Sequence, residues 1–381
     1  MHKLFYSQQG FLLLFCWMFV ALSCLPTEQK LSIPALEADV TSNEELKLSE
    51  YFENFRMLKL PTDTVMGDIE KIKYEKNRIY ISDGQALFIF SDEGKLLSCF
   101  KKKGQGPDEY SRIDDFRVDG ETITVLDGNQ QKLFTYDHSG NAVSTRNLEY
   151  HAQAISPMVD NSFFLYNGFD SSHKLHSIKD GEEDSTYLAV DENQAKYLFI
   201  FAHHNFYQHQ KSIYFFQPVN DTIYESVDGG GINPSFYVDF KGKNMPASFF
   251  ERPYKDIKEF FDELFKASYA YGVYSFVMYD RFIMFGSFYQ KNKKLTVFDL
   301  KNSSSNTFAA IKDDVCFNGL TIPVSNFIYH ANKNKHIIVP LDALSVVEWR
   351  KIYAPSEQFE KMVNATKEED NPLLLIFDFK Q

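Results

Sequence analysis

Two stretches of the chain carry the same order of apolar and polar positions. Arg78 to Gly94 (RIYISDGQALFIFSDEG) and Thr122 to Gly140 (TITVLDGNQQKLFTYDHSG) each run from a β-branched and aromatic segment into Asp-Gly, then through a second apolar segment to a closing Asp with a nearby Gly. Each reads as strands joined by tight turns. Asp83 and Asp127 lie 44 residues apart, and Gly94 and Gly140 lie 46 apart. A period near 45 residues is the length of a four-stranded propeller blade. Fainter copies follow at Phe163 to Gly168, at Ser212 to Phe216 with Asp221 to Tyr224, and at Arg281 to Phe285 with Lys294 to Phe298. Six such periods occupy most of the chain beyond residue 50, so the pattern predicts an all-β fold, a six-bladed β-propeller with one or two inserted amphipathic helices.

The insertions show as a change of period. Between Pro253 and Ala270, the residues Ile257, Phe260, Phe261, Leu264 and Phe265 recur at helical spacing, with charged residues on the opposite face. A second helix is predicted around Ser356 to Glu368, with Ser356 capping its start and Asn371-Pro372 ending it. The apolar run Leu373 to Asp378 is then a last strand. Its position suits ring closure, in which the two ends of the chain share one blade and remove the open edge.

The N-terminus follows neither pattern. Lys3 precedes the apolar run Phe11 to Leu22, which is too short to span a bilayer and reads as the core of an export signal. Ala21-Leu22-Ser23-Cys24 then resembles a bacterial lipobox, with Cys24 as the acylated residue; an ordinary secretory signal is the alternative. The expected organisation is a signal peptide over 1–23, a lipidated tether and lead-in segment over 24–50, and the propeller over 51–381. The expected location is the outer membrane, facing the periplasm or the cell surface, with the N-terminal lipid as the membrane contact. Cys16 would leave with the signal, so the folded body keeps Cys99 and Cys316, too few for a disulfide scaffold or a metal cluster.

Composition adds two points. The 37 Phe and 22 Tyr suit sheets whose faces are filled by large rings. The net charge of −12 is spread along the chain, which excludes a nucleic-acid partner, since that needs clustered cations. The one basic run, Lys101 to Lys103, reads as the rim of a hairpin.

Several segments carry a family likeness. They are Leu60 to Asp63 (LPTD), Ile79 to Asp83 (IYISD), Phe90 to Gly94 (FSDEG), Gly104 to Tyr110 (GQGPDEY) and Ile113 to Phe116 (IDDF). Later come Asn220 to Tyr224, Tyr237 to Phe240 with Pro246, and Glu369 to Leu375. Together they resemble the six-bladed β-propeller lipoproteins of Gram-negative gut bacteria, whose blades are similar to NHL repeats. The resemblance implies the fold, export and a lipid anchor, and it brings no catalytic set.

Candidate chemistry is sparse. Gly104-Gln-Gly106 lacks the helix N-terminus that a phosphate cradle needs, and reads as a turn between blades fixed by Glu109 or Tyr110. Asp83 and Asp127 recur at one blade position, where they cap the turn amides that follow or stand in a ring of carboxylates that holds a cation or an amine. His203, His204 and His209 are the candidate metal ligands, but a strand sets His203 and His204 on opposite faces, and no metal or cofactor is expected. Among the aromatics, Phe169, Phe206, Tyr207, Tyr269 and Tyr271 are candidates for a stacking platform. Asp83, Asp127, Phe206 and Tyr207 are the residues predicted to touch a ligand. There is no GxSxG elbow. The expected function is a binding module for a glycan, peptide or partner protein. The alternative is a hydrolase or lyase acting on carbohydrate at the channel mouth, which a pair of facing carboxyls would mark.

Overall fold

Six sheets follow one another along the chain in the computed structural model, which describes residues 33–159, 162–167, 172–179, 184–192, 204–227, 231–331 and 336–381. Contacts divide the chain into Met1–Pro34 and Ala35–Gln381. The expected signal peptide and Cys24 lie outside the described residues, and the second unit holds all six sheets.

Blade I comprises Lys71–Glu75, Arg78–Ser82, Leu87–Ser91 and Leu96–Phe100, and blade II comprises Asp115–Asp119, Thr122–Asp127, Lys132–Asp137 and Ala142–Asn147. Blade III follows with Ala154–Ile155, Ser162–Tyr166, His173–Lys179 and Ser185–Ala189, and blade IV with Phe206–His209, Ser212–Phe215, Thr222–Val227 and Gly231–Asp239. Blade V is built from Ala270–Met278, Phe282–Tyr289, Asn292–Asp299 and Ser304–Asp313, with Leu320–Pro323 added beyond it. Blade VI combines His330–Ala331, His336–Leu341 and Leu373–Phe379 with the early strand Phe52–Lys59. Leu375 pairs antiparallel with Met57 there, so the two ends of the propeller close the ring as the sequence predicts.

The period-two pattern explains how the blades stack. In blade I, Ile79 and Ile81 point to one face and pack with Ile338, Leu374 and Ile376 of blade VI. Tyr80, Leu87 and Ile89 use the other face, against Phe116, Ile123, Val125 and Phe134 of blade II. Leu126 and Leu133 of blade II meet Phe163, Leu165 and Ile178 of blade III, whose Phe164 and Tyr166 meet Ile213 and Phe215 of blade IV. Strands buried on both faces read as unbroken apolar runs. Each Phe buried in this way contributes about 1.5–3 kcal/mol, which is why ring-rich composition and blade packing belong together.

The turns behave as the sequence requires. Gly140 has φ +83°, and a Cβ there would meet Phe100 at 2.7 Å, so both conformation and space favour glycine. In the connection between blades I and II, Glu109 accepts the Gly106 amide at 2.8 Å, and the Tyr110 hydroxyl donates to the Gln85 carbonyl at 3.0 Å. Lys101 to Lys103 belong to this connection and not to a hairpin rim, because the outermost strand of blade I ends at Phe100.

Three features exceed the sequence reading. The polar lead-in segment forms strands from Ala35 onward: Ala35–Glu37 pairs in parallel with the outer strand of blade IV, and Glu44–Lys47 with Ser304–Asp313 of blade V. The helix Ile257–Ala267 forms as predicted, with Asp256 accepting the Glu259 amide at 2.9 Å, but its buried face narrows to Phe260 and Leu264 and leaves Ile257 exposed. Blade VI holds two helices between its second and third strands, the predicted Glu357–Asn364 and an unpredicted Ala343–Trp349. Ser356 stands at the N-cap of the former without a side-chain cap hydrogen bond, so that part of the expectation fails. No helix among the described residues is long and apolar enough to cross a membrane.

Asp221, at the start of the third strand of blade IV, accepts the Asn244 side-chain amide at 2.8 Å, and burial pushes its carboxyl up to about 7. A carboxyl raised in the folded state favours folding while protonated, so its contribution is complete below about pH 4 and is lost as pH rises through about 7. Asp221→Asn is expected to be more stable than wild type by on the order of 3 kcal/mol at pH 8. In chemical unfolding, that gap should widen from pH 4 to 7 and level off above. A gap independent of pH would contradict the assignment.

Candidate functional site

The first strand of every blade contributes to a central cavity of about 380 Å³. The volume lies in the range of small-molecule sites. Its walls differ in character. Blades I and II supply Lys73, Asp115 and Arg117, while blades IV, V and VI supply Phe206, Tyr207, Phe276, Tyr329 and the imidazoles of His204 and His330. In a ring of six, I stands opposite IV and II opposite V, so a charged wall faces an aromatic one.

Strand alternation builds the charged wall. Lys71 and Lys73 share one side of their strand, and both reach Asp115 of the next blade. Lys71 Nζ lies 2.9 Å from Oδ2 and Lys73 Nζ 3.2 Å from Oδ1. Asp115 also accepts the Phe116 amide at 2.7 Å and the Ile155 amide at 3.0 Å, so both of its oxygens are committed. Lys73 donates to the Phe116 carbonyl and sits 5.0 Å from the centre of that ring. Burial alone would raise the Asp115 carboxyl, but the two lysines hold it below its ordinary value. Burial, with Lys71 and Arg117 adding to it, lowers the Lys73 ammonium against the pull of Asp115. Arg117 lies over the Phe163 ring at 4.1 Å.

The aromatic wall is fixed by backbone bonds. The Tyr329 hydroxyl donates to the Ser275 carbonyl at 2.6 Å and the Tyr207 hydroxyl to the Met278 carbonyl at 3.2 Å. Both tie a neighbouring blade to blade V. His330 Nδ1 accepts the Ile72 amide at 3.2 Å, and its ring meets that of His204 edge to face at 4.8 Å.

The residues singled out from sequence divide. Phe206 and Tyr207 line the cavity, Phe206 half-buried against Phe215. Asp83 and Asp127 do not line it. Asp83 accepts the amides of Gln85 at 2.9 Å and Ala86 at 2.7 Å; Asp127 accepts those of Ser111 at 2.6 Å and Gln130 at 2.9 Å. Those to Gln85, Ala86 and Gln130 are the capping contacts that an Asp before Gly provides, and the one to Ser111 ties the turn to the preceding connection. His204 lines the cavity beside His330, His209 lies at the far end of its strand, and His203 lies outside the described residues, as does Phe169. Among the described residues no group of three or more His, Cys, Asp or Glu is placed to hold a metal. Tyr271 packs against the helix Ile257–Ala267, with Tyr269 beside it. Cys99 and Cys316 are not bonded to each other. Lys73, Asp115 and His330 were not singled out, although charges two apart in KIKYE and DFRVD were the available signal.

Residues 31–378 match the model of a domain of unknown function, DUF4934. The chain belongs to this family. No curated protein matches it. Among solved structures, this DUF4934 chain is similar to a Bacteroides fragilis protein assigned as exported, with TM-score 0.72 and 17% identity over 92% of this chain and 100% of that one. It is also similar to a DUF4221 family member from Bacteroides vulgatus, with TM-score 0.51 and 12% identity over 87% of this chain and 98% of that one. At these identities the likeness is one of fold.

Proposed function

We propose that the protein is an exported, lipid-anchored binding module that takes a glycan, peptide or partner-protein segment into its central channel. The observation that carries the reading is the cavity itself, to which the innermost strand of every blade contributes and in which a charged wall faces an aromatic one. Aromatic faces with a few convergent polar groups suit recognition. The export signal, Cys24 at the edge of its apolar run and the similarity to an exported protein support placement outside the cytoplasm. Asp115, deep in the channel, is held ionised by two lysines, a state that suits recognition and not proton donation to a leaving group.

The chain lacking its signal, probed on glycan and peptide arrays, is expected to select a restricted ligand set with saturable binding. Absence of saturable binding on both arrays would overturn the reading. In cells, palmitate label is expected on wild type and not on Cys24→Ala; equal labelling of the two would remove the anchor.

A further inference from the structure

The channel is unequal in charge as well as in texture. Two ammonium groups, Lys71 and Lys73, share one carboxylate, Asp115, so this cluster carries one net positive charge within the wall. The two lysines are not equivalent. Lys71 is sealed, with its side chain 4% exposed, whereas Lys73 is 27% exposed and lines the cavity. Each oxygen of Asp115 already takes one lysine and one backbone amide, so the carboxylate has no capacity beyond these contacts. A buried excess of like charge is costly unless an opposite charge approaches it. Arg117, the second cation of this wall, lies over the Phe163 ring, and Glu75, Asp119 and Lys76 stand towards the first hairpins of blades I and II.

Across the channel, Phe206 is the aromatic ring that stays partly exposed, whereas Phe276 is buried and packs in the core. Tyr329, its hydroxyl bound to Ser275, turns no polar end into the space. A ligand that satisfies both walls carries an anion at one edge of a ring whose faces are apolar.

We propose that the channel recognises a carboxylate borne on a six-membered ring, with the carboxylate held by Lys73 and the ring lying against Phe206. This deepens the binding-module reading and rests on it. An aryl acid and a uronic acid share this chemistry, and the test separates them.

Calorimetry on the chain lacking its signal would use four probes: benzoate, benzamide, glucuronate and glucose. At least one acid is expected to bind about tenfold or more tighter than its neutral counterpart, the gain of one charge-assisted hydrogen bond. Preference for benzoate over benzamide assigns the aryl source, and preference for glucuronate over glucose the sugar source. Lys73→Met keeps the Lys71–Asp115 pair and is expected to bring the preferred acid down to its neutral counterpart, while Lys73→Arg keeps the preference. Acid and neutral probes binding wild type equally would overturn this inference and leave the channel reading standing. No binding by any of the four would overturn it also, and the array result then decides the broader reading separately. Should Lys73→Met fail to fold, the wild-type preference and Lys73→Arg remain decisive, and an Arg variant that does not discriminate would count against the proposal.

Discussion

Asp115→Asn is expected to destabilise the protein by about 3–5 kcal/mol, the effect of leaving a buried charge without its partner. Lys71 has its side chain only 4% exposed and its ammonium 2.9 Å from the carboxylate, so the amide would strand a cation that water cannot reach. Asparagine preserves the shape but keeps one accepting oxygen in place of two, so one of the Phe116 and Ile155 amides also loses its partner. In urea the midpoint should fall by roughly 1 M or more, at the slope of about 3 kcal/mol/M expected of a large domain. Lys71→Met in the same chain is expected to recover much of the loss, because burying no charge is cheaper than burying one unpaired. The pH sign is opposite to that of Asp221. The Asp115 carboxyl is held below its ordinary value, so its contribution is present above about pH 4 and is lost only as pH falls below that. A double variant no more stable than Asp115→Asn would show that the cluster does not act through charge.

The ring and most of its blades were legible because their information is local. The β-branched runs around Asp83 and Asp127 state strand, turn and strand within seventeen to nineteen residues, and recurrence states the blade. The helix Ile257–Ala267 was legible for the same reason, since eleven residues suffice to show a period. Ala343–Trp349 was not, because seven residues rich in Val and Leu read equally as a strand. The strands Ala35–Glu37 and Glu44–Lys47 are three and four residues long, with one buried leucine each; what makes them strands is the open outer edge of blades IV and V.

The site was legible only in part. Phe206 and Tyr207 stood out as neighbouring aromatics beside histidines, and the fold places both along the channel. Asp83 and Asp127 stood out because they repeat, and repetition marks a position that every blade needs, here a capped turn. The groups that give the channel its character do not repeat. Lys73 meets Asp115 from another blade, and His330 meets Ile72 across 258 residues. Periodicity predicts that innermost strands recur; it carries no statement of which side chains they present to one another.

The claim on which the rest depends is that the channel is the ligand site. Ala331, on the innermost strand of blade VI, lines the cavity with a side chain of one carbon. Tryptophan there would place an indole in a space of about 380 Å³. Overpacking costs about 1–3 kcal/mol, and Ala331 is partly buried against the core, so the unfolding midpoint is expected to fall by no more than that cost and the transition to stay cooperative. The decisive measurement is therefore the affinity of Ala331→Trp for the ligands that wild type selects on the arrays, taken together with its unfolding midpoint. The predicted result is a loss of about a hundredfold or more, equivalent to about 3 kcal/mol, in a protein that remains folded. Undiminished binding by the folded variant would contradict the account and place the ligand on an outer surface of the propeller.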